Sequence, residues 1–242
     1  NSFAPIPIRL HANGNLDNAF NSDIYSKESV VDIWGIAAQP DGKVIIGGNH
    51  RGDNNPTKSY ILRLNLDGSI DPTFQITEED DRYISDLSLL PNGKVLVVVG
   101  DQYTFGTSSQ QSNIIRLNPD GTSDSSFNPG TSADGRINVV LPLQSGKMFI
   151  GGSFVSFDGQ ARQNLAQLNE DGSLNSISYN TNNEVLSLAV DSTGRLLTGG
   201  RFTVIGAGNG GTANRSHVAR LIDSEQSAGT RFDFNGDGLA EF

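Results

Sequence analysis

The chain has 242 residues, 27 acidic against 17 basic side chains, a formal net charge of −10 and 36% hydrophobic residues. The Lys and Arg residues are scattered along the chain, which argues against nucleic acid because phosphate binding needs a clustered positive face. There is no cysteine for a disulfide scaffold, and no apolar run approaches the ~20 residues of a membrane span.

Taken in chain order, the first element is a hairpin, PIRLHANGNLDNAF (Pro7–Phe20). It is followed by WGIAAQPDGKVIIGG (Trp34–Gly48), two apolar strands around an Asp-Gly-Lys turn, and by YILRLNLDGSIDPTF (Tyr60–Phe74). The pair then recurs. ISDLSLLPNGKVLVVVG (Ile84–Gly100) precedes NIIRLNPDGTSDSSF (Asn113–Phe127), and INVVLPLQSGKMFIGG (Ile137–Gly152) precedes NLAQLNEDGSLNSIS (Asn164–Ser178). VLSLAVDSTGRLLTGG (Val185–Gly200) precedes the shorter HVARL (His217–Leu221). The turn glycines Gly42, Gly93, Gly146 and Gly194 lie 51, 53 and 48 residues apart. Asn-Gly and Asp-Gly between apolar runs signal hairpins that need positive φ, so these four glycines are expected there. Runs such as Val44–Ile46 and Val95–Val99 are apolar on both faces, as in strands sandwiched between neighbouring sheets.

A period near fifty with two hairpins per unit predicts an all-β fold, a β-propeller of four-stranded blades with about 52 residues per repeat. Five blades by terminal closure is the first expectation, four blades plus a half-blade the alternative. Residues 1–229 are assigned to the propeller repeats, and 230–242 to a terminal strand and loop that helps close the last blade. Opening on Asn1 inside a half-repeat, the chain reads as a piece of something longer. Half-repeats at both ends leave strand edges, to be satisfied by ring closure or by strand exchange between subunits.

The third repeat, SGKMFIGGSFVSFDGQARQNLAQLNEDGSL (Ser145–Leu174), resembles the delta-60 repeat of large secreted or surface proteins of bacteria, and the first two repeats match its DGK…GG and RLN.DGS.D..F elements. The resemblance implies the propeller-type fold and shares no ligand pocket. At the C-terminus, DFNGDGLAEF (Asp233–Phe242) resembles the calcium loops of FG-GAP-type repeats. Asp233, Asn235, Asp237, the Leu239 carbonyl and Glu241 would form an oxygen cage for Ca2+. The alternative is a plain hairpin turn.

The connections Asn49–Ser59, Asp101–Ser112, Ser153–Gln163 and Arg201–Ser216 differ in every repeat and are the expected binding loops. Aromatics stand in two of them, Tyr103 with Phe105 and Phe154 with Phe157. The segments Asn13–Asp17, Asp67–Asp71 and Asp120–Asp124 carry too few ligands for metal and read as capped turns. Arg51-Gly52-Asp53 and the acidic run Glu78–Asp81 read as surface loops, and Asn214-Arg215-Ser216 is a glycosylation sequon at Asn214. No catalytic constellation appears: His11, His50 and His217 occupy non-equivalent positions. The expected function is therefore a non-enzymatic extracellular or cell-surface module, structural or adhesive, with self-association, a surface protein or a glycan as partner. A carbohydrate- or protein-binding domain of a larger protein is the alternative, and a propeller hydrolase or lyase the third reading.

Overall fold

The computed structural model describes residues 7–21, 30–50, 58–74, 76, 83–100, 112–207 and 212–221. Every regular element among them is a β-strand, and none is a helix long and apolar enough to cross a membrane. The chain divides into two compact units, residues 1–106 with 114–125, and residues 107–113 with 126–242.

The first unit holds two sheets. Strands β1 (Val30–Ala38), β2 (Val44–His50) and β3 (Lys58–Leu64) lie in that order, as do β4 (Tyr83–Leu89), β5 (Val95–Gly100) and β6 (Ser112–Leu117). Each inner strand is apolar on both faces, and Ile45, Ile46 and Val95 to Val99 are all buried. At about 25 cal/mol per Å² of apolar surface removed from water, such strands supply most of the drive to stack sheets. The stacking is close because glycine allows it: the Leu87 side chain of one sheet fills the space a Cβ would take at Gly35 and Gly47 of the other.

The second unit repeats the plan. Strands β7 (Arg136–Pro142) and β8 (Met148–Ser153) are followed by two short ones, β9 (Ser156–Phe157) and β10 (Gln160–Ala161), and by β11 (Leu165–Leu168). Next come β12 (Tyr179–Thr181), β13 (Val185–Val190), β14 (Leu196–Gly200), β15 (Val204–Ala207), β16 (Thr212–Asn214) and β17 (Val218–Leu221). The main sheets are β7-β8-β11 and β13-β14-β17, with β9-β10 and β12-β15-β16 as smaller ones. Phe149, Leu165, Tyr179, Val185 and Phe202 form their common core, with the Phe149 and Tyr179 rings edge to face at 5.2 Å.

The turns follow the expected chemistry with one refinement. Gly42, Gly93, Gly146 and Gly194 all have φ between +80° and +85°. The residue before each does not: Asp41 and Asn92 keep negative φ, and their side-chain oxygens accept the N–H two residues on, at 3.1 Å in both cases. In the first turn Gly42 N–H donates to the Gln39 carbonyl (2.9 Å) and Gln39 N–H to the Lys43 carbonyl (2.8 Å). This is a type I turn closed by a glycine in the left-handed region, so Asp or Asn serves as a cap and only Gly supplies the positive φ.

Two sequence expectations change. The blades are three-stranded among the described residues, with the fourth strand reduced to a single bridge: Leu64 with Ile70, Leu117 with Ser123, Leu168 with Leu174. And Gly100 is not the counterpart of Gly48, Gly152 and Gly200. Register pairs Ile33 with Gly48, Ile137 with Gly152 and Val185 with Gly200, but Ile84 with Val99. The second repeat thus replaces the double glycine by Val98-Val99, and Gly100 lies one residue further on.

Candidate functional site

The most regular charged residues of the repeat turn out to hold it together. The Asp71 Oδ2 atom accepts from Lys43 Nζ at 2.7 Å and Arg63 Nε at 2.8 Å, while Oδ1 accepts from the Thr73 N–H and hydroxyl. Burial alone would raise the Asp71 carboxyl, but the hydrogen bonds from Lys43, Thr73 and Arg63 outweigh it and hold it well below the usual carboxylate range. Asp124 receives Lys94 (2.7 Å) and Arg116 (2.6 Å) in the same way, and Asp17 receives Arg9 at 2.8 Å. The Arg63 guanidinium also lies 5.0 Å over the Phe74 ring, as Arg9 does over Phe20 at 4.9 Å. The DGSID-type segments are thus structural, as expected, and the ion trio through them was missed. A signal was present: the Arg–Asp separation of eight recurs at Arg9–Asp17, Arg63–Asp71 and Arg116–Asp124.

The third repeat breaks this pattern, with Gln167 and Asn175 at the Arg and Asp positions. Asn175 bonds Asn169 (2.9 Å) and the Ile177 N–H (3.0 Å), whereas Gln167, 1% exposed, has both amide atoms buried without a partner. An unmet buried amide costs about 1–3 kcal/mol, so the near-isosteric Gln167→Met is expected to stabilise the protein by about 1 kcal/mol in urea unfolding. A loss of stability would mean the amide is paired after all.

What differs between repeats is gathered at one structural position. Each first strand carries a bulge opposite the double-glycine site, and the extra residue is Trp34, Ser85, Asn138 or Leu186. In three repeats the site opposite the bulge is close-packed: a Cβ on Gly48, Gly152 or Gly200 would collide with the backbone carbonyl of Asp32, Arg136 or Glu184, while the second repeat carries Val99 at that register position. Bulges re-aim side chains, and here they aim an aromatic, a hydroxyl, an amide and an aliphatic group. In the first unit Trp34 is 48% exposed and its ring lies 5.5 Å from that of Tyr83, tilted by 55°. In the second unit Asn138 donates to Glu184 Oε1 (3.0 Å) and the Val185 carbonyl (2.9 Å), and Arg201 approaches Glu184 at 3.6 Å.

Two of the connections, Ser153–Gln163 and Arg201–Ser216, form hairpins among the described residues. Ser153–Gln163 is the β9–β10 hairpin turning at Asp158 and Gly159, both with positive φ, and Arg201–Ser216 contains β15 and β16. Asp134 Oδ1 accepts the N–H groups of Val155 and Ser156, and Asn182 Oδ1 those of Thr203 and Val204, which fixes both hairpins alike. Phe154 and Phe157, expected as binding aromatics, are instead fully buried, and the hairpin that carries them pairs with the segment Ser132–Asp134. Val155 is exposed beside them.

Asn214 of the sequon is exposed on β16, where it pairs with Val204. The calcium-type residues Asp233, Asn235, Asp237, Leu239 and Glu241 lie outside the described residues, as do Tyr103, Phe105, Arg51–Asp53 and Glu78–Asp81. Among the described residues no group of three or more His, Cys, Asp or Glu could hold a metal ion.

Comparison with known proteins agrees with this architecture. Residues 39–74, 90–127 and 143–176 match the family model described as a β-propeller domain of unknown function (DUF5122). No curated protein matches. Among solved structures the chain is similar to a glucose dehydrogenase at 12% identity, covering 73% of this chain and 64% of that one with a TM-score of 0.47. It is similar to the soluble aldose sugar dehydrogenase from Escherichia coli at 11% identity, over 76% and 60% of the two chains, TM-score 0.43. A gluconolactonase from Xanthomonas campestris aligns at 12% identity over 80% and 75%, TM-score 0.38. The chain spans about three fifths of the length of the first two. The fold is all-β and of β-propeller type, built from β-propeller repeats.

Proposed function

We propose that this propeller is a non-enzymatic module that displays variable side chains on a repeated scaffold, in a structural or adhesive role at the cell surface or outside the cell. One observation carries the reading: the bulge residue of each first strand sits at the same place in the strand register in all four repeats, yet is Trp34, Ser85, Asn138 and Leu186 in turn. A position held by the fold would keep one kind of side chain, and a position used for recognition varies. The repeated ionic residues support the same view, since Lys43, Arg63, Asp71 and their counterparts are spent on internal pairing. The resemblance to delta-60 repeats fits a surface or secreted setting, with a glycan or another surface protein as partner.

The test is tolerance without chemistry. Trp34→Ser and Leu186→Ser are expected to shift the urea-unfolding free energy by no more than about 1 kcal/mol each, because both residues are half-exposed. The chain is expected to leave chromogenic glycosides and lactones unchanged. Unfolding of either variant would make the bulge a structural position. Turnover abolished by a single substitution would make the protein an enzyme.

A further inference from the structure

We infer that Trp34 and Tyr83 form a stacking platform for a neutral glycan chain, one whose pyranose rings are equatorially substituted and present flat C–H faces. The inference rests on the display reading above and names the ligand for one of its positions. Trp34 is the single tryptophan of the chain, and about half of it is exposed although Ser, Asn and Leu fill the same bulge in other repeats. The fold therefore does not require an indole there.

The backbone that carries the two rings is also held in advance. Tyr60 hydroxyl donates to the Asp32 carbonyl at 2.8 Å, two residues before Trp34 on β1. Asn49, buried, accepts from the Ile84 N–H (3.1 Å) and donates to the Ile84 carbonyl (3.2 Å), which fixes the residue next to Tyr83 on β4. Gly48 seals the bulge from beneath by its close approach to Asp32. Rigid mounting reduces the entropy lost when a ligand stacks. Two aromatic rings 5.5 Å apart and tilted by 55° offer apolar surface to a sugar face, with the Trp34 indole N–H as a donor to its hydroxyls.

The net charge disfavours an anionic ligand. Arg9, Lys43, Arg63, Lys94 and Arg116 of the first unit are each paired with an aspartate, and the chain as a whole carries −10. A cation is the other ligand that favours aromatic faces, and the experiment separates it from a sugar.

The full 242-residue chain is titrated with cellohexaose while the emission of Trp34 is followed. A saturable shift at low millimolar concentration or below is expected. Trp34→Ala should abolish binding by calorimetry, and Tyr83→Ala should weaken it by about tenfold or more, as for a central aromatic anchor. Trp34→Phe should restore part of it. All three variants should keep the wild-type urea midpoint. No saturable response up to about 10 mM, binding that survives Trp34→Ala, or a response to a hexalysine peptide and not to cellohexaose would overturn the inference. A chain that tolerates Trp34→Ser yet ignores cellohexaose would sink only this inference, and one unfolded by that change would sink the display reading too.

Discussion

Gly152→Val is expected to destabilise the protein by about 4 kcal/mol or more, a large share of the stability of an ordinary domain. The added Cβ would meet the Arg136 carbonyl oxygen and lie 2.9 Å from the Ile137 Cα. Both are backbone atoms of the paired strand, so no rotamer change relieves the contact. Strands β7 and β8 would have to separate at the bulge and give up pairing at Ile137. A control separates this effect from glycine chemistry in general. Gly93→Val places a β-branched residue at φ +80° but meets only Pro119 at ordinary contact distance, 3.5 Å. Its expected cost is therefore the left-handed backbone alone, about 1–2 kcal/mol. The reverse change at the variant repeat, Val99→Gly, should also destabilise, by about 2–3 kcal/mol, because Val99 is buried in the core there. Urea unfolding of the three variants checks the order. Equal losses for Gly152→Val and Gly93→Val would contradict the close approach described at the bulge.

Asp71→Ala is expected to cost about 3 kcal/mol, as breaking a largely buried ion pair from one side does. It strands Lys43 and Arg63, whose side chains are 30% and 11% exposed, and removes the cap on the Thr73 N–H. The pH dependence carries a definite sign. The folded carboxyl is held below its unfolded value, so its contribution is complete above the unfolded pKa of about 4 and is lost as pH falls through the folded one. Wild-type stability should therefore drop as the medium is acidified from about pH 5 downward, and Asp71→Ala should show a shallower drop over the same range. Parallel curves for the two proteins would show that Asp71 takes no part in acid unfolding. Asp124→Ala should cost a similar amount of stability, since Lys94 and Arg116 bind it in the same geometry.

How much of this was legible beforehand depends on how far apart the deciding atoms stand in sequence. The positive φ at Gly42, Gly93, Gly146 and Gly194 was legible because a turn is settled by residues within four positions of one another. Burial of Val95 to Val99 was legible from their composition alone, because a strand apolar on both faces must be covered on both. The Lys43–Asp71–Arg63 trio was hidden in charges that looked scattered, since Lys43 and Asp71 are 28 positions apart and meet only through the pairing of β2 with β3. Lys43, Arg63, Lys94 and Arg116, scattered along the sequence, thus belong to the scaffold.

By itself, then, the sequence determined the repeat, its all-strand character and its turn chemistry, all of which depend on neighbours along the chain. Tertiary structure decided which repeated letters were equivalent. It put Val98-Val99 at the site of the double glycine, because register is set by the whole strand pair and not by the last glycine in the string. It buried Phe154 and Phe157, which sit in a connection that reads as surface, because the hairpin pairs with the segment Ser132–Asp134 some twenty positions earlier. It left Trp34, inside an apolar strand, half-exposed beside Tyr83, because a bulge turns that one residue out of the alternation. Exposure belongs to what packs against a side chain from other strands, and no local stretch of sequence contains that.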